Sequence, residues 1–313
     1  GWFLPTAGDT TAYGKADALV APSLDLFDKV VQAAEAAGFE YMLVPVQTAC
    51  WEAWISSAMM VARSTSMRML VAARPSYINP VLLAKMISAF DQLSGGRAIL
   101  GIGGAWFDYE HEHHGIPFGK SIGERLTWLD ESVAALRALL NGDTVTSPAG
   151  GHYNFSGLTH APLPIQKRVP IMIGGNGRTK TLLTLAKYGD MWNGFGDPNT
   201  LKELDGVLKE HCAAVGRNEK EIARTANIWM VIRDTEEEAR AVWEAQAKHN
   251  KVDVKEITEP NRPMLGTPQH VATQLRAYMD AGIDTALVEL PAPYDHQTIE
   301  RLMLEVKPLV EAP

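Results

Sequence analysis

The sequence is poor in cysteine, in positive charge and in long apolar runs, and each shortage excludes a class of protein. Its 313 residues contain two cysteines, Cys50 and Cys212, which excludes a disulfide-rich secreted scaffold and favours a reducing, cytoplasmic compartment. Lys and Arg number 29 against 37 Asp and Glu, and the net charge of −8 argues against nucleic acid or a membrane surface as a partner. No apolar run approaches the ~20 residues of a membrane-spanning helix, and no signal peptide is expected.

Patterns that mark metal centres are also missing. The sequence contains neither H-E-x-x-H nor C-x-x-C. The stretch DYEHEHHG carries His111, His113 and His114, but this spacing does not place three ligands on one helix face, and no second His/Cys cluster completes a coordination sphere. No metal site is therefore expected, and the stretch is interpreted as a solvated loop that packs a turn.

What the sequence does contain is a regular alternation of short apolar runs and longer helical patterns. About eight strand-like runs, each followed by a helical pattern, predict a parallel sheet of the α/β class that closes into a (β/α)8 TIM barrel. Two stretches are interpreted as insertions after strands, residues 141–170 with a small hairpin and residues 250–266. No linker or repeat is evident, so a single domain over residues 1–313 is expected. The predicted strands are residues 2–4, 41–45, 67–73, 97–103, 169–175, 190–196, 225–232 and 285–290.

The clearest local signal is the stretch PIMIGGNGRTKTLL, in which a strand meets a glycine-rich turn and a helix begins near Arg178. Glycines let the backbone approach a ligand closely, and the start of a helix offers free N–H groups and the positive end of its dipole. Gly174, Gly175, Asn176 and Gly177, with Arg178 as a bidentate donor, are therefore predicted to bind a phosphate. The alternative is a tight turn that binds nothing.

Residues at other predicted strand ends allow two interpretations each. Gly103, Gly104 and Ala105 in LGIGGAW would let a flat ring lie against the backbone, although the stretch is weak as a dinucleotide motif. Arg74 either binds an anion or braces loops. Cys50 is either a pocket residue or a small buried core residue. Aromatic residues at later strand ends suggest a flat apolar pocket, or ordinary core: Trp192, Phe195 and Trp229.

Several stretches resemble the bacterial luciferase-like flavin monooxygenase superfamily, and the similarity covers most of the chain. WFLPTAGD, VPVQTACWEAW, LVAARPSYINP and DQLSGGRA resemble its alkanesulfonate monooxygenase branch. LGIGGAWFDYEHEHHGIPFG and PIMIGGNGRTKTLLTLAKYGDMWNG are more similar to the branch that uses the deazaflavin F420. The resemblance implies a TIM barrel that binds reduced flavin at the carboxyl ends of its strands, with a non-prolyl cis peptide near residues 72–74.

The activity that the resemblance implies is that of a two-component, FMNH2-dependent monooxygenase. Reduced FMN would react with O2 to form a flavin peroxide, which would oxygenate a small organic substrate, and a separate NAD(P)H:flavin reductase would supply the FMNH2. One alternative is hydride transfer with F420 and no O2, and another is a non-catalytic flavin-binding protein. A homodimer or homotetramer is expected.

Candidate roles follow from the resemblance residue by residue. Asn227 and Trp229 stand where the sulfonate branch has an arginine and a histidine, and Arg262 is the nearest substitute for the arginine of its lid. The loss of these charges disfavours a sulfonate and favours a neutral or aromatic substrate. The catalytic candidates are Cys50, Asn227, Trp229 and Arg262. The cofactor-binding candidates are Ala72, Ala73, Arg74, Gly103, Gly104, Ala105, Gly174, Gly175, Asn176, Gly177, Arg178 and Trp192. The substrate-binding candidates are Thr6, Asp9, Tyr13, Trp51 and Phe195.

Overall fold

The core of the protein is a closed barrel of eight parallel strands, as the alternating pattern predicts. The computed structural model describes residues 1–8, 21–257, 262–289 and 295–311. Around the barrel the strands follow the order β1-β10-β7-β6-β5-β4-β3-β2. Their bounds are β1 Trp2–Phe3, β2 Tyr41–Val44, β3 Arg68–Ala73, β4 Ala98–Gly103, β5 Ile171–Gly174, β6 Met191–Gly194, β7 Ala223–Ile228 and β10 Thr285–Val288.

Helices surround the barrel, and short polar side chains define where several of them begin. Ser23, Ser121 and Thr235 each accept a hydrogen bond from the backbone N–H three residues ahead, which is the usual N-cap interaction. The helices are α1 Leu24–Ala36, α2 Ala53–Val61, α3 Pro80–Ser94, α4 Asp108–His113, α5 Ile122–Asn141, α6 Thr181–Tyr188, α7 Pro198–Ala214, α8 Glu236–His249, α9 Pro268–Asp280, α10 His296–Arg301 and α11 Lys307–Glu311.

None of these helices combines the length and the apolar character needed to cross a bilayer, as far as the described residues go.

Inside the barrel, large side chains fill the lower part and small ones line the upper part. A cluster of buried inward-facing residues closes the amino-terminal half, namely Tyr41, Leu70, Ile99, Met172 and Leu287. One step further along their strands, the inward positions of β3, β4 and β5 are Ala72, Gly101 and Gly174, because side chains alternate along a strand. The change from large to small residues leaves open space at the carboxyl end.

The predicted strand 225–232 is divided into two strands that belong to different sheets. The chain leaves the barrel at Trp229, and β8 (Met230–Ile232) pairs in parallel with β9 (Met264–Gly266) outside it. β9 lies within the stretch expected to be only a polar insertion. Its three residues are too few to show the alternation that identifies a strand in a sequence.

Four smaller expectations also need correction or support. The helix after the glycine turn begins at Thr181, three residues later than expected, and α4 forms where a loop was expected. The excursion over residues 141–170 contains an antiparallel bridge between Val145 and Leu158, in accord with the predicted hairpin. The expected non-prolyl cis peptide near residues 72–74 is wrong, because in the described chain the cis bond joins Ala161 to Pro162.

Candidate active site

A cavity of about 550 Å³ opens at the carboxyl end of the strands. Strands β2 to β6 and the loops that follow them form its walls, and α5 closes one side. Three partly exposed apolar side chains, Trp106, Ile122 and Phe195, form its rim. The remaining lining residues are Leu43, Ala72, Ala73, Arg74, Gly101, Ile102, Gly103, Gly104, Ala105, Leu126, Met172, Gly174, Gly175, Asn176, Gly177, Thr181 and Asn193.

One wall of this cavity is nearly free of side chains. A Cβ atom built on Gly174 meets nothing within 4 Å, so this position faces open space that a side chain would fill. A Cβ atom on Gly103 would lie 3.3 Å from the carbonyl oxygen of Gly174, so the two strand ends already approach closely. Ala105 follows with φ +56°, a left-handed conformation that costs a non-glycine residue on the order of 1 kcal/mol. The result is a flat backbone surface suited to a planar ring.

The glycine turn after β5 is held in place by hydrogen bonds to β6 and to the loop that follows β6. The indole Nε1 of Trp192 donates a hydrogen bond of 3.0 Å to the carbonyl oxygen of Gly175. The Asn176 side chain donates to the carbonyl oxygen of Phe195 at 2.6 Å and accepts from the Phe195 N–H at 3.0 Å. Gly175 adopts φ +129°, a conformation that L side chains rarely take. These contacts organise the turn before any ligand arrives.

The first residue of α6 completes this turn. Thr181 lines the cavity, and a Cβ atom on Gly177 would lie only 2.4 Å from its hydroxyl oxygen, so glycine is required there. The N–H groups in the first turn of a helix have no intrahelical acceptor, and together with the helix dipole they favour an anion. Here the Leu182 N–H donates to the carbonyl oxygen of Gly177 at 3.0 Å, and the rest of the turn with the start of α6 is the candidate anion site.

Arg178 does not face the cavity in this structure. Its guanidinium pairs with Glu203 at 2.9 Å on the surface, where more than half of each side chain is exposed. Its carbonyl oxygen accepts a hydrogen bond of 2.7 Å from Nε2 of His211. A contact between Arg178 and a bound phosphate would require the side chain to leave Glu203.

Among the described residues that line this cavity, Arg74 is the one cation, and it also braces the loops around it. Its Nε donates to Oε2 of Glu110 at 3.2 Å and its Nη2 donates to the carbonyl oxygen of Val46 at 3.0 Å. Nearby, burial raises the pKa of the Cys50 thiol. Cys50 is therefore a neutral thiol at neutral pH, not a nucleophilic thiolate.

A chain of polar side chains inside the barrel leads from this cavity to a second hollow. The Thr225 hydroxyl donates to Oδ1 of Asn193 at 2.9 Å, and Nδ2 of Asn193 donates to Oδ1 of Asn227 at 3.1 Å. Asn193 lines the first cavity, whereas Asn227 lines a hollow of about 280 Å³ together with Trp229 and Arg262. Three of the four catalytic candidates therefore lie together, but beside the glycine-walled cavity.

The structure brings together most of the cofactor-binding candidates. Ten of the twelve line the first cavity; the exceptions are Arg178 and Trp192, which is fully buried and reaches the turn only through the carbonyl oxygen of Gly175. Among the substrate-binding candidates Phe195 lines it, Thr6 is buried, and Trp51 packs edge-on against Phe27 with ring centroids 5.4 Å apart. Asp9 and Tyr13 lie outside the described residues.

Sequence reasoning missed several lining residues. Thr181 could have been found, because a hydroxyl residue at the start of a helix after a glycine turn is a typical anion contact. Asn193 lies next to the end of β6, where side chains near the carboxyl end of a barrel strand are expected to face the site. Ile122 and Leu126 lie on α5 and reach the cavity only through tertiary packing.

Two other sequence patterns have structural roles here. Residues 119–123 read G-K-S-I-G, which fits the G-x-S-x-G pattern of hydrolases, but the Ser121 hydroxyl caps α5 by accepting from the Glu124 N–H at 3.2 Å. In the histidine stretch, Nδ1 of His111 contacts the carbonyl oxygen of Pro117 at 3.0 Å, and Nδ1 of His114 contacts that of Glu110 at 2.7 Å. Within the described chain no three His, Cys, Asp or Glu side chains group as metal ligands.

The chain matches a family model, and its structure is similar to several solved structures. The family model described as luciferase-like monooxygenase matches residues 1–285. The EDTA monooxygenase from Chelativorans sp. BNC1 superposes with a TM-score of 0.80 at 16% identity, covering 99% of this chain and 92% of that one. The oxygenating constituent of 3,6-diketocamphane monooxygenase from Pseudomonas putida, solved in complex with FMN, superposes with a TM-score of 0.75 at 18% identity, covering 100% of this chain and 99% of that one. The F420-dependent tetrahydromethanopterin reductase from Methanopyrus kandleri superposes with a TM-score of 0.74 at 18% identity, covering 91% of this chain and 95% of that one.

Proposed function

The chain is an enzyme of the luciferase-like monooxygenase family, and from this membership we propose that it is the oxygenating component of a two-component, FMNH2-dependent monooxygenase. It uses O2 to oxygenate a small organic substrate. A separate NAD(P)H:flavin reductase supplies the reduced flavin, and the enzyme works in the cytoplasm.

The observation that carries the proposal is that a flat wall without side chains and a glycine turn leading into α6 lie in one cavity. Gly103 and Gly174 belong to the wall, and Gly177 and Thr181 belong to the turn and helix start, which we propose as the anion site. A flavin mononucleotide combines a planar tricyclic ring with a terminal phosphate. The ring suits the flat wall, and the phosphate suits the glycine turn at the start of α6. The cavity volume of about 550 Å³ lies within the ~300–1,000 Å³ that is usual for cofactor sites.

Reduced FMN, when bound, supplies the electrons that activate O2, and the protein supplies the binding, orientation and exclusion of water. The backbone of Gly103 and Gly104 supports one face of the ring. The turn at Gly175 and the start of α6 hold the phosphate. Trp106 and Phe195, at the rim, shield the ring from solvent.

The proposal is tested by titrating the protein with FMN and following flavin fluorescence. We expect saturable binding, and O2 consumption that depends on substrate when a flavin reductase and NAD(P)H are added. A protein that binds FMN without any substrate-dependent O2 consumption across a broad substrate screen would instead be a non-catalytic flavin-binding protein.

An F420-dependent hydride transferase is the second candidate, because the glycine turn serves equally well for the phosphate of F420. The similarity of the stretches 100–119 and 170–194 to the F420-using branch also supports it. Parallel titrations with FMN and F420 separate the two functions. Tight F420 binding without FMN binding would overturn the proposal in favour of hydride transfer.

We propose further that the enzyme is a homodimer or homotetramer, and that α2 contributes to the contact between subunits. The exposed residues of α2 are Ile55, Ala58 and Met59, and its opposite side is buried against the barrel. A helix that is apolar on all sides is normally buried on all sides. A second copy of this chain buries the exposed apolar residues of α2.

A further inference from the structure

We propose that Glu289 and Asn227 together bind a hydrogen-bond-accepting oxygen of an uncharged substrate. The inference rests on the proposed function, because it places the substrate between these two side chains and the ring bound in the glycine-walled cavity. It adds a substrate-binding residue that no motif of the sequence indicates.

The register of the barrel places Glu289 inside it. Leu287 belongs to the inward-facing cluster, and side chains two positions apart along a strand share a face. The Glu289 N–H donates to the carbonyl oxygen of Ile228 at 3.2 Å, so the ladder between β10 and β7 continues past the last strand residue. Glu289 therefore stands one layer above Leu287, at the carboxyl end.

Glu289 also stands on the opposite side of the barrel from the proposed ring site. Counting in either direction around the closed order, β10 is four strands from β4, which carries Gly103. A ring held against Gly103 and Gly174 would have β10 on its other side, so a substrate that meets the ring from that side would lie next to Glu289.

Asn227 provides the second donor on the same wall. It is the register partner of Leu287, so it too faces the barrel interior. Its Oδ1 accepts a hydrogen bond of 3.1 Å from Asn193, whose own Oδ1 is held by the Thr225 hydroxyl at 2.9 Å. This chain fixes the orientation of the Asn227 amide, because its Oδ1 is the acceptor and its NH2 group is therefore the donor that it can offer to a substrate.

The surroundings of Glu289 favour the protonated form of its carboxyl group. Burial raises its pKa to about 8, and the described residues contribute no opposing charge. The neighbouring inward residues are uncharged, Phe3 on β1 and Asn227 on β7, while Asp295 at the start of α10 is paired with Arg233 at 2.9 Å. A neutral carboxylic acid donates one O–H, whereas a carboxylate can only accept. A carbonyl or hydroxyl oxygen of the substrate therefore matches Glu289 and the Asn227 amide, and this match is lost when Glu289 ionises.

The test uses FMN-loaded protein and a pair of probes, acetophenone and ethylbenzene, which differ mainly in the carbonyl oxygen. Binding is measured by NMR at about pH 6 and about pH 9.5, on either side of the expected ionisation. In the wild type we expect acetophenone to bind at least about five-fold more tightly at the lower pH, and ethylbenzene to show no such change. Glu289→Gln keeps an N–H donor but cannot ionise, so acetophenone binding should become independent of pH. Glu300→Gln, an exposed acid-to-amide change on α10, is the matched control and should retain the pH dependence.

A second readout does not depend on ligand binding. The infrared difference spectrum between the two pH values should show the carbonyl band of a protonated carboxylic acid in the wild type and in Glu300→Gln, and this band should be missing in Glu289→Gln. Equal acetophenone binding at both pH values in the wild type, or a carboxylic acid band that persists in Glu289→Gln, would overturn the inference. Failure of the wild type to bind FMN would overturn the proposed function instead, and the infrared result would still report on Glu289.

Discussion

The Nε atom of Arg74 lies 3.2 Å from Oε2 of Glu110, and this contact joins the end of β3 to helix α4 beside the cavity. Both side chains are well buried, with exposed fractions of 14% for Arg74 and 1% for Glu110. The second oxygen of Glu110 is also buried and has no hydrogen-bond partner among the described residues. The charge of Glu110 therefore depends on Arg74 for compensation.

We expect Arg74→Ala to lower the free energy of unfolding by about 3–5 kcal/mol, because it leaves a buried carboxylate without its partner. Urea denaturation measures this loss. Arg63→Ala is the matched control, since Arg63 pairs with Asp28 on the surface and such pairs contribute about 1 kcal/mol or less. Equal losses in the two variants would show that Arg74 does not compensate Glu110.

Gly174→Val should weaken FMN binding at least about ten-fold without unfolding the protein. Its Cβ atom faces open space, so the larger side chain occupies the cavity and does not collide with protein atoms. Fluorescence titration gives the affinity, and circular dichroism verifies the fold. Gly206→Val, at an exposed and equally unobstructed position on α7, should bind FMN like the wild type.

Trp192→Phe should raise the dissociation constant for FMN about five-fold. The indole N–H holds the carbonyl oxygen of Gly175 at 3.0 Å, and one such hydrogen bond contributes on the order of 1 kcal/mol. Trp54→Phe tests the specificity of the effect, because the indole N–H of Trp54 is buried without a partner among the described residues and no hydrogen bond is lost. An unchanged FMN affinity in Trp192→Phe would show that this bond does not organise the turn.

The parts of the site that could be predicted from sequence are those with a local physical signature. The glycine turn at residues 174–177 follows an apolar run and precedes a helix, and these signals are contiguous in the chain. The direction of the Arg178 side chain is not local, because it is decided by Glu203 on another helix. Likewise, Leu126 reaches the cavity only because α5 packs beside it.

The fold could be predicted for the same reason, because its signals are local in the sequence. The one substantial error, a single strand predicted over residues 225–232, has a different cause. Eight alternations of strand and helix carry enough apolar periodicity to indicate a barrel. The break at Trp229 leaves no such trace, because residues 228–232 form one continuous apolar run across the end of β7 and all of β8. Only the pairing of β8 with the three residues of β9 reveals that the chain has left the barrel.

Ile55→Glu should shift the protein towards monomer and raise the dissociation constant between subunits at least about ten-fold. The change places a charge at the centre of the exposed apolar face of α2, where 69% of the Ile55 side chain is exposed. Size-exclusion chromatography with light scattering measures the effect. Leu304→Glu, at a position that is 75% exposed near the carboxyl end, should leave the oligomeric state unchanged. A wild type that is monomeric at all accessible concentrations would contradict the role of α2.

Glu35 supplies a prediction about acid stability. Its carboxylate accepts hydrogen bonds from the backbone N–H groups of Thr65, Ser66 and Met67 and from the Ser66 hydroxyl, at 2.6 to 3.3 Å. Partial burial acts to raise the pKa of Glu35, but these hydrogen bonds outweigh it and lower the pKa from 4.5 to about 2.

Because the unfolded chain binds this proton at a higher pH than the folded one, the stabilisation by Glu35 is complete above about pH 5 and is lost as the pH falls towards 2. Glu35→Gln should therefore lower the free energy of unfolding by about 1–2 kcal/mol at neutral pH and have little effect near pH 2. Denaturation of both proteins across this range measures the difference, with the exposed Glu300→Gln as the control. A difference between Glu35→Gln and the wild type that stays constant from neutral pH to pH 2 would show that the charge of Glu35 does not hold the loop before β3.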